Sequence, residues 1–86
     1  RDSPAFEYPV SLKVRGVDRY HLLGDIIECV TDRQGLAMQS VKSETVDNIA
    51  TTSISFHVHS MDELRRTMKN ISRIAGVDEV IPVEIG

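Results

Sequence analysis

Asp18 separates two periodicities, and that change of period limits the fold more than any other feature of the chain. Before it, Val10, Leu12 and Val14 alternate with Ser11, Lys13 and Arg15, the two-residue repeat of a strand with one buried face. After it, Leu22, Leu23, Ile26, Ile27 and Val30 recur at spacings of three and four, which builds one apolar stripe along a helix. The turn Asp18-Arg19-Tyr20-His21 lies between them. A strand that runs directly into a helix leaves the first helical N–H groups pointing out of the turn, where they can hold an anion or a carboxylate. A ligand site, if the chain has one, belongs here.

The same reading extends along the sequence. Arg1–Pro9 holds two prolines and mixed charge with no sustained period, and is expected to be a linker, with Phe6 and Tyr8 resting on the core surface or adding a short edge strand. The domain proper is expected over residues 10–86, with a first strand Val10–Val17. The first helix is expected over Tyr20–Gln34, with Asp18 as its N-cap and Gly35 at its C-terminal turn. Leu36–Asp47 reads as a strand of imperfect alternation, because Leu36 and Met38 share a phase that Val41 does not; a bulge near Ser40 reconciles them. Asp47-Asn48 reads as a hairpin turn, leading into a strand over Ile49–His59 with Ile54, Phe56 and Val58 on one face and Ser53, Ser55, His57 and His59 on the other. Ser60-Met61-Asp62-Glu63 has the form of a capping box, followed by a helix to about Ala75 whose buried stripe is Met61, Leu64, Met68, Ile71 and Ala75, with Gly76 ending it. Val77–Ile85 is the last strand, and Pro82 places it at a sheet edge because proline has no N–H to donate to a ladder.

The order β-α-β-β-α-β, with one apolar stripe per helix, predicts an α+β fold. An antiparallel sheet carries both helices on one face, and right-handed crossovers give the ferredoxin-like sandwich with strand order 4-1-3-2. Composition narrows the function. Net charge is −3, which gives no reason to expect DNA or an anionic membrane as partner. One cysteine excludes an internal disulfide and a cysteine zinc cluster, and fits a reducing, cytoplasmic setting. No apolar run approaches the roughly 20 residues of a membrane span, and no signal peptide is expected. The chain starts at Arg1 rather than Met, so it is expected to be part of something longer.

Ferredoxin-like folds serve several chemistries, which particular residues decide. An RNA-recognition module needs exposed aromatic platforms on its central strands, and TTSISFHVH has one Phe, in the inward phase. A metal chaperone needs paired cysteines in its first loop, whereas this chain has only Cys29, which reads as a small buried hydrophobe. An acylphosphatase needs a glycine-rich phosphate cradle, which VDRYHLLG is not. His57 and His59 have metal-ligand spacing but no third ligand nearby, and read as decoration of the open sheet face. No cofactor and no metal are expected.

The run VSLKVRGVDRYHLLGDI resembles the opening of an ACT domain, and specifically the version at the C-terminus of RelA/SpoT-type (p)ppGpp synthetase/hydrolases. In that version a hydrophobic strand ends in Asp-Arg-x-Gly-Leu-Leu-x-Asp-Ile; Asp18, Arg19, Leu22, Leu23, Asp25 and Ile26 match. The resemblance covers residues 8–85, the later elements agreeing in pattern rather than in residues. It implies a regulatory, non-catalytic module of a stringent-response enzyme, sensing an amino acid and pairing as a homodimer. The ligand contacts it implies are Asp18, Arg19, Tyr20, His21, Leu22 and Leu23. The chain departs from the motif at His21, where the family has glycine. That side chain can fill the pocket or add a polar contact. Gly24, three residues on, is expected to allow close packing. The alternative is a ligand-free module that docks on another domain of the parent enzyme or on the ribosome. Arg66, Lys69 and Arg73, which share the outer face of the second helix with Arg65 nearby, are its candidate docking patch, unless they are simply a solvated face.

Overall fold

The computed structural model describes residues 7–33 and 35–85. Four strands form one antiparallel sheet: β1 (Tyr8–Val17), β2 (Met38–Val46), β3 (Ile49–Val58) and β4 (Val77–Ile85), in the order β2-β3-β1-β4. This is the expected 4-1-3-2 order read from the other edge. The strands with the cleanest alternation, β1 and β3, are central, and β4 with Pro82 is at an edge. Helices α1 (Leu22–Glu28) and α2 (Met61–Ser72) fill the two crossovers. Val10, Leu12 and Val14 of β1 and Ile54, Phe56 and Val58 of β3 are buried against Leu22, Ile26 and Val30 from the first helical segment and Leu64 and Ile71 from α2.

β1 begins at Tyr8, two residues before the alternation predicts, because Tyr8 and Pro9 pair with Val58 and His57. Tyr8 is therefore part of a central strand rather than lying loose on the core; Phe6 and the rest of the expected linker before Glu7 lie outside the described residues. The bulge predicted near Ser40 is present as a register shift between Met38 and Ser40. It places Met38 opposite Phe56 and Val41 opposite Ile54, both on the helix-facing side. Asp47 and Asn48 both take positive φ, 52° and 67°, the twist that a two-residue hairpin turn requires.

The helices differ from expectation at their ends. Tyr20 and His21 precede α1, because His21 has φ 67° and cannot continue a right-handed helix. It is His21, not Asp18, that occupies the N-cap position, and it makes no side-chain capping bond. After Glu28 the helix widens into a π-helical turn over Cys29–Arg33, closed by the Leu36 N–H donating to the Val30 carbonyl at 3.0 Å. In α2, Ser60 caps as expected, its Oγ accepting from the Glu63 N–H at 3.1 Å. Glu63 reaches back one residue further than a standard box, accepting from the His59 N–H at 2.6 Å. Thr67 replaces Met61 and Ala75 in the buried stripe. Its hydroxyl is satisfied by the Glu63 carbonyl at 2.8 Å, while Met61 starts the helix at its exposed end and Ala75 lies beyond it. Because α2 stops at Ser72, Gly76 is not its terminator; with φ 94° it forms the turn into β4.

Two glycines have opposite surroundings. A Cβ on Gly16 would lie 2.4 Å from the Gly76 carbonyl oxygen, so the end of β1 touches the α2–β4 loop backbone to backbone. A Cβ on Gly24 would meet nothing within 4 Å, so the close packing expected of Gly24 does not occur. Gly16→Ala is expected to destabilise the domain by about 2 kcal/mol, through overpacking against rigid backbone. Gly24→Ala should stabilise it by about 0.8 kcal/mol, the gain of alanine over glycine inside a helix. Urea unfolding midpoints of the two variants check both signs.

Candidate functional site

The turn after β1 is fixed at both sides. The Val17 N–H donates to the Gly76 carbonyl and the Asp18 N–H to the Asn48 carbonyl, each at 2.9 Å, so one corner is tied to the α2–β4 loop and to the hairpin turn. The Leu22 N–H then closes a tight turn on the Arg19 carbonyl at 3.2 Å, and the Asp25 N–H reaches the His21 carbonyl at 2.9 Å. Leu22 is buried and anchors the start of α1 in the core. The next two amides, of Leu23 and Gly24, have no acceptor among the described residues.

Arg19 is a structural tie. Its Nε donates to the Ala75 carbonyl at 2.6 Å, one Nη to the Tyr20 carbonyl at 2.7 Å, and the other to Asp25 Oδ2 at 2.7 Å. The Arg-to-Asp spacing of six residues in the motif thus places a carboxylate of the first helical turn over the guanidinium. The Asp18 carboxylate is exposed and has no hydrogen-bond partner among the described residues. Tyr20 is 85% exposed, and its ring lies beside the His21 ring, centroid to centroid at 3.9 Å.

A cleft of about 220 Å³ opens beside this turn. Asp18, His21, Leu23 and Gly24 form one wall; Ser43, Ala50 and Thr52 of the β2–β3 hairpin form the other. Of the six residues expected as ligand contacts, Asp18, Arg19, His21, Leu22 and Leu23 line this cleft and Tyr20 does not. Ser43 and Thr52, whose hydroxyls lie 3.2 Å apart, were not anticipated. Counting outward from the Asp47-Asn48 turn pairs them directly, so the register carried the signal. Arg19 also lines a second cleft, of about 270 Å³, on the α2 side of α1.

The remaining candidates behave simply. His57 stays on the open sheet face, half-buried. His59 falls outside β3; it sits 3.1 Å from Glu63 and 3.4 Å from Glu7, between two carboxylates rather than on the sheet face. No group of three metal-ligating side chains occurs among the described residues. Cys29 is buried in the core. Arg66, Lys69 and Arg73 are exposed and have no carboxylate partner among the described residues, whereas Arg65 pairs with Asp62. No helix among the described residues is long and apolar enough to cross a membrane.

Residues 5–81 match the ACT domain family. The chain is an ACT domain. It is similar to the ACT domain of a GTP pyrophosphokinase from Chlorobium tepidum, with a TM-score of 0.81 at 17% identity over 91% of this chain and 100% of that one. It also superimposes on the C-terminal domain of MgtC from Mycobacterium tuberculosis, with a TM-score of 0.73 at 15% identity over 100% of this chain and 94% of that one. A homoserine dehydrogenase from Thiobacillus denitrificans gives 0.72 at 16% identity, over 92% of this chain but 17% of the enzyme. At such identities these likenesses establish the fold alone. No curated protein matches the chain.

The left-handed φ of His21 supplies a conformational reason for the glycine that the ACT motif carries there. His21→Gly is expected to stabilise the domain by about 0.5 kcal/mol, the relieved strain exceeding the entropy that glycine adds to the unfolded chain. Arg19→Ala should cost roughly 2 kcal/mol, since three acceptors lose a charged donor, and Arg19→Lys should not restore it, because one ammonium cannot reach all three. Thermal unfolding of the three variants tests this ranking.

Proposed function

We propose that this ACT domain is a non-catalytic regulatory module of a larger protein, a (p)ppGpp synthetase/hydrolase of the RelA/SpoT type, and that it senses an amino acid in the cleft beside the β1–α1 turn. The observation that carries this reading is the pairing of unused groups on one wall. The Leu23 and Gly24 amides have no acceptor among the described residues, and the Asp18 carboxylate has no donor. Two N–H groups suit a carboxylate and a carboxylate suits an ammonium, so the wall offers both halves of what a zwitterion needs. Ser43 and Thr52 add hydroxyls from the opposite wall. Regulation follows by linkage: a ligand that prefers one arrangement of paired domains raises the population of that arrangement.

A second reading has its own observation. β2 is an edge strand, and every residue after Met38 is exposed, Val46 at 69%. An uncovered edge is a template for another strand, so a second copy can pair there. Because Ser43 lies both on this edge strand and in the cleft, such a partner would stand beside the ligand. On this reading the domain conveys state by contact alone, through β2 or through the basic stripe Arg66, Lys69 and Arg73 docked on a neighbouring domain or the ribosome.

Isothermal titration with a panel of amino acids, run with analytical ultracentrifugation, separates the two. The sensing reading expects heat of binding that is lost in Asp18→Ala and enhanced in His21→Gly. Absence of heat throughout the panel, with a mass that rises with protein concentration, would instead support the contact reading.

A further inference from the structure

We infer that the cleft between α1 and the C-terminal end of α2 is a second small-molecule site, distinct from the β1–α1 turn cleft, and that it takes a zwitterion through Glu28 and Arg73. The cleft holds about 270 Å³. Its charged lining is two arginines, Arg19 and Arg73, and two carboxylates, Asp25 and Glu28, so its net formal charge is zero. Arg19 and Asp25 are already joined to one another at 2.7 Å. Glu28 on the α1 wall and Arg73 on the α2 wall remain; neither has an ion-pair partner among the described residues, and they do not bridge the gap between them. Opposite charges thus line one open cleft without an ion pair between them.

That arrangement selects the ligand. A single anion would answer Arg73 and leave Glu28 unanswered; a single cation would do the reverse. A small molecule with both charges answers both walls at once, and each contact is a charge-assisted hydrogen bond. Asn70 adds an amide that can donate or accept, and Ile74 and Cys29 supply apolar lining for a short side chain. Glu28 and Arg73 line this cleft and not the turn cleft, and Arg19, which lines both, is already joined to Asp25, so the two sites can be tested separately.

Nitrogen–proton correlation spectra of the domain, titrated with L-alanine, L-serine and L-methionine, test this, with acetate and ethylamine as singly charged controls. At least one of the three zwitterions should produce saturable shifts at Glu28, Cys29, Asn70 and Arg73, and the controls should not saturate at the same concentrations. Glu28→Gln and Arg73→Gln should each weaken that binding about tenfold or more, the expected effect of losing one charged hydrogen bond. Both side chains are exposed, so the variants are expected to fold. Shifts confined to residues 18–24, 43, 50 and 52 would overturn the second site while upholding the turn cleft. No saturable shift with any of the three, or binding indifferent to both substitutions, would also overturn it.

Discussion

The contact between the end of β1 and the loop before β4 sets the geometry of the β1–α1 turn and of the cleft beside it. Gly16 lies against the Gly76 carbonyl with no room for a side chain, and the Val17 N–H donates to that same oxygen. One residue later the Asp18 N–H is taken by Asn48 on the opposite side. A strand end pinned between two loops cannot extend, so the chain must turn there. Arg19 then fastens the turn to Ala75 and to the first residues of α1. The first N–H groups of a helix have no intrahelical acceptor, so the Leu23 and Gly24 amides that follow this corner are left without partners among the described residues, beside the cleft.

The same corner explains the motif in physical terms. Arginine is needed because three acceptors at different angles surround it, and a forked planar donor reaches all of them. Aspartate at position 25 is needed as the charged member of that set. Leucine at 22 is buried in the core, whereas leucine at 23 lines the cleft. Only His21 is discordant, since its backbone is in a region that glycine adopts without strain. The side chain also lines the cleft, so one residue combines a conformational cost with a change in the shape of the site.

Arg19 lines both the turn cleft and the cleft between the helices. The two spaces therefore share a wall made of the first helical turn and one guanidinium. β2 is attached to the sheet along one edge, and its residues after Met38 are exposed.

Element order, strand order, the bulge near Ser40, the hairpin turn and the position of Pro82 were all legible in the sequence, because each follows from a local rule: period, turn chemistry or a missing N–H. So was the location of the turn cleft, since the change of period at Asp18 is local too. What the sequence left open were features that depend on residues far apart. That Arg19 is consumed by Ala75, that Gly16 is required by Gly76, and that Thr67 rather than Met61 is buried could be decided only once the helices had docked on the sheet. The cleft between α1 and α2 belongs with these. Glu28 and Arg73 lie about half the chain apart in sequence, and only the packing of the two helices makes them line one cleft.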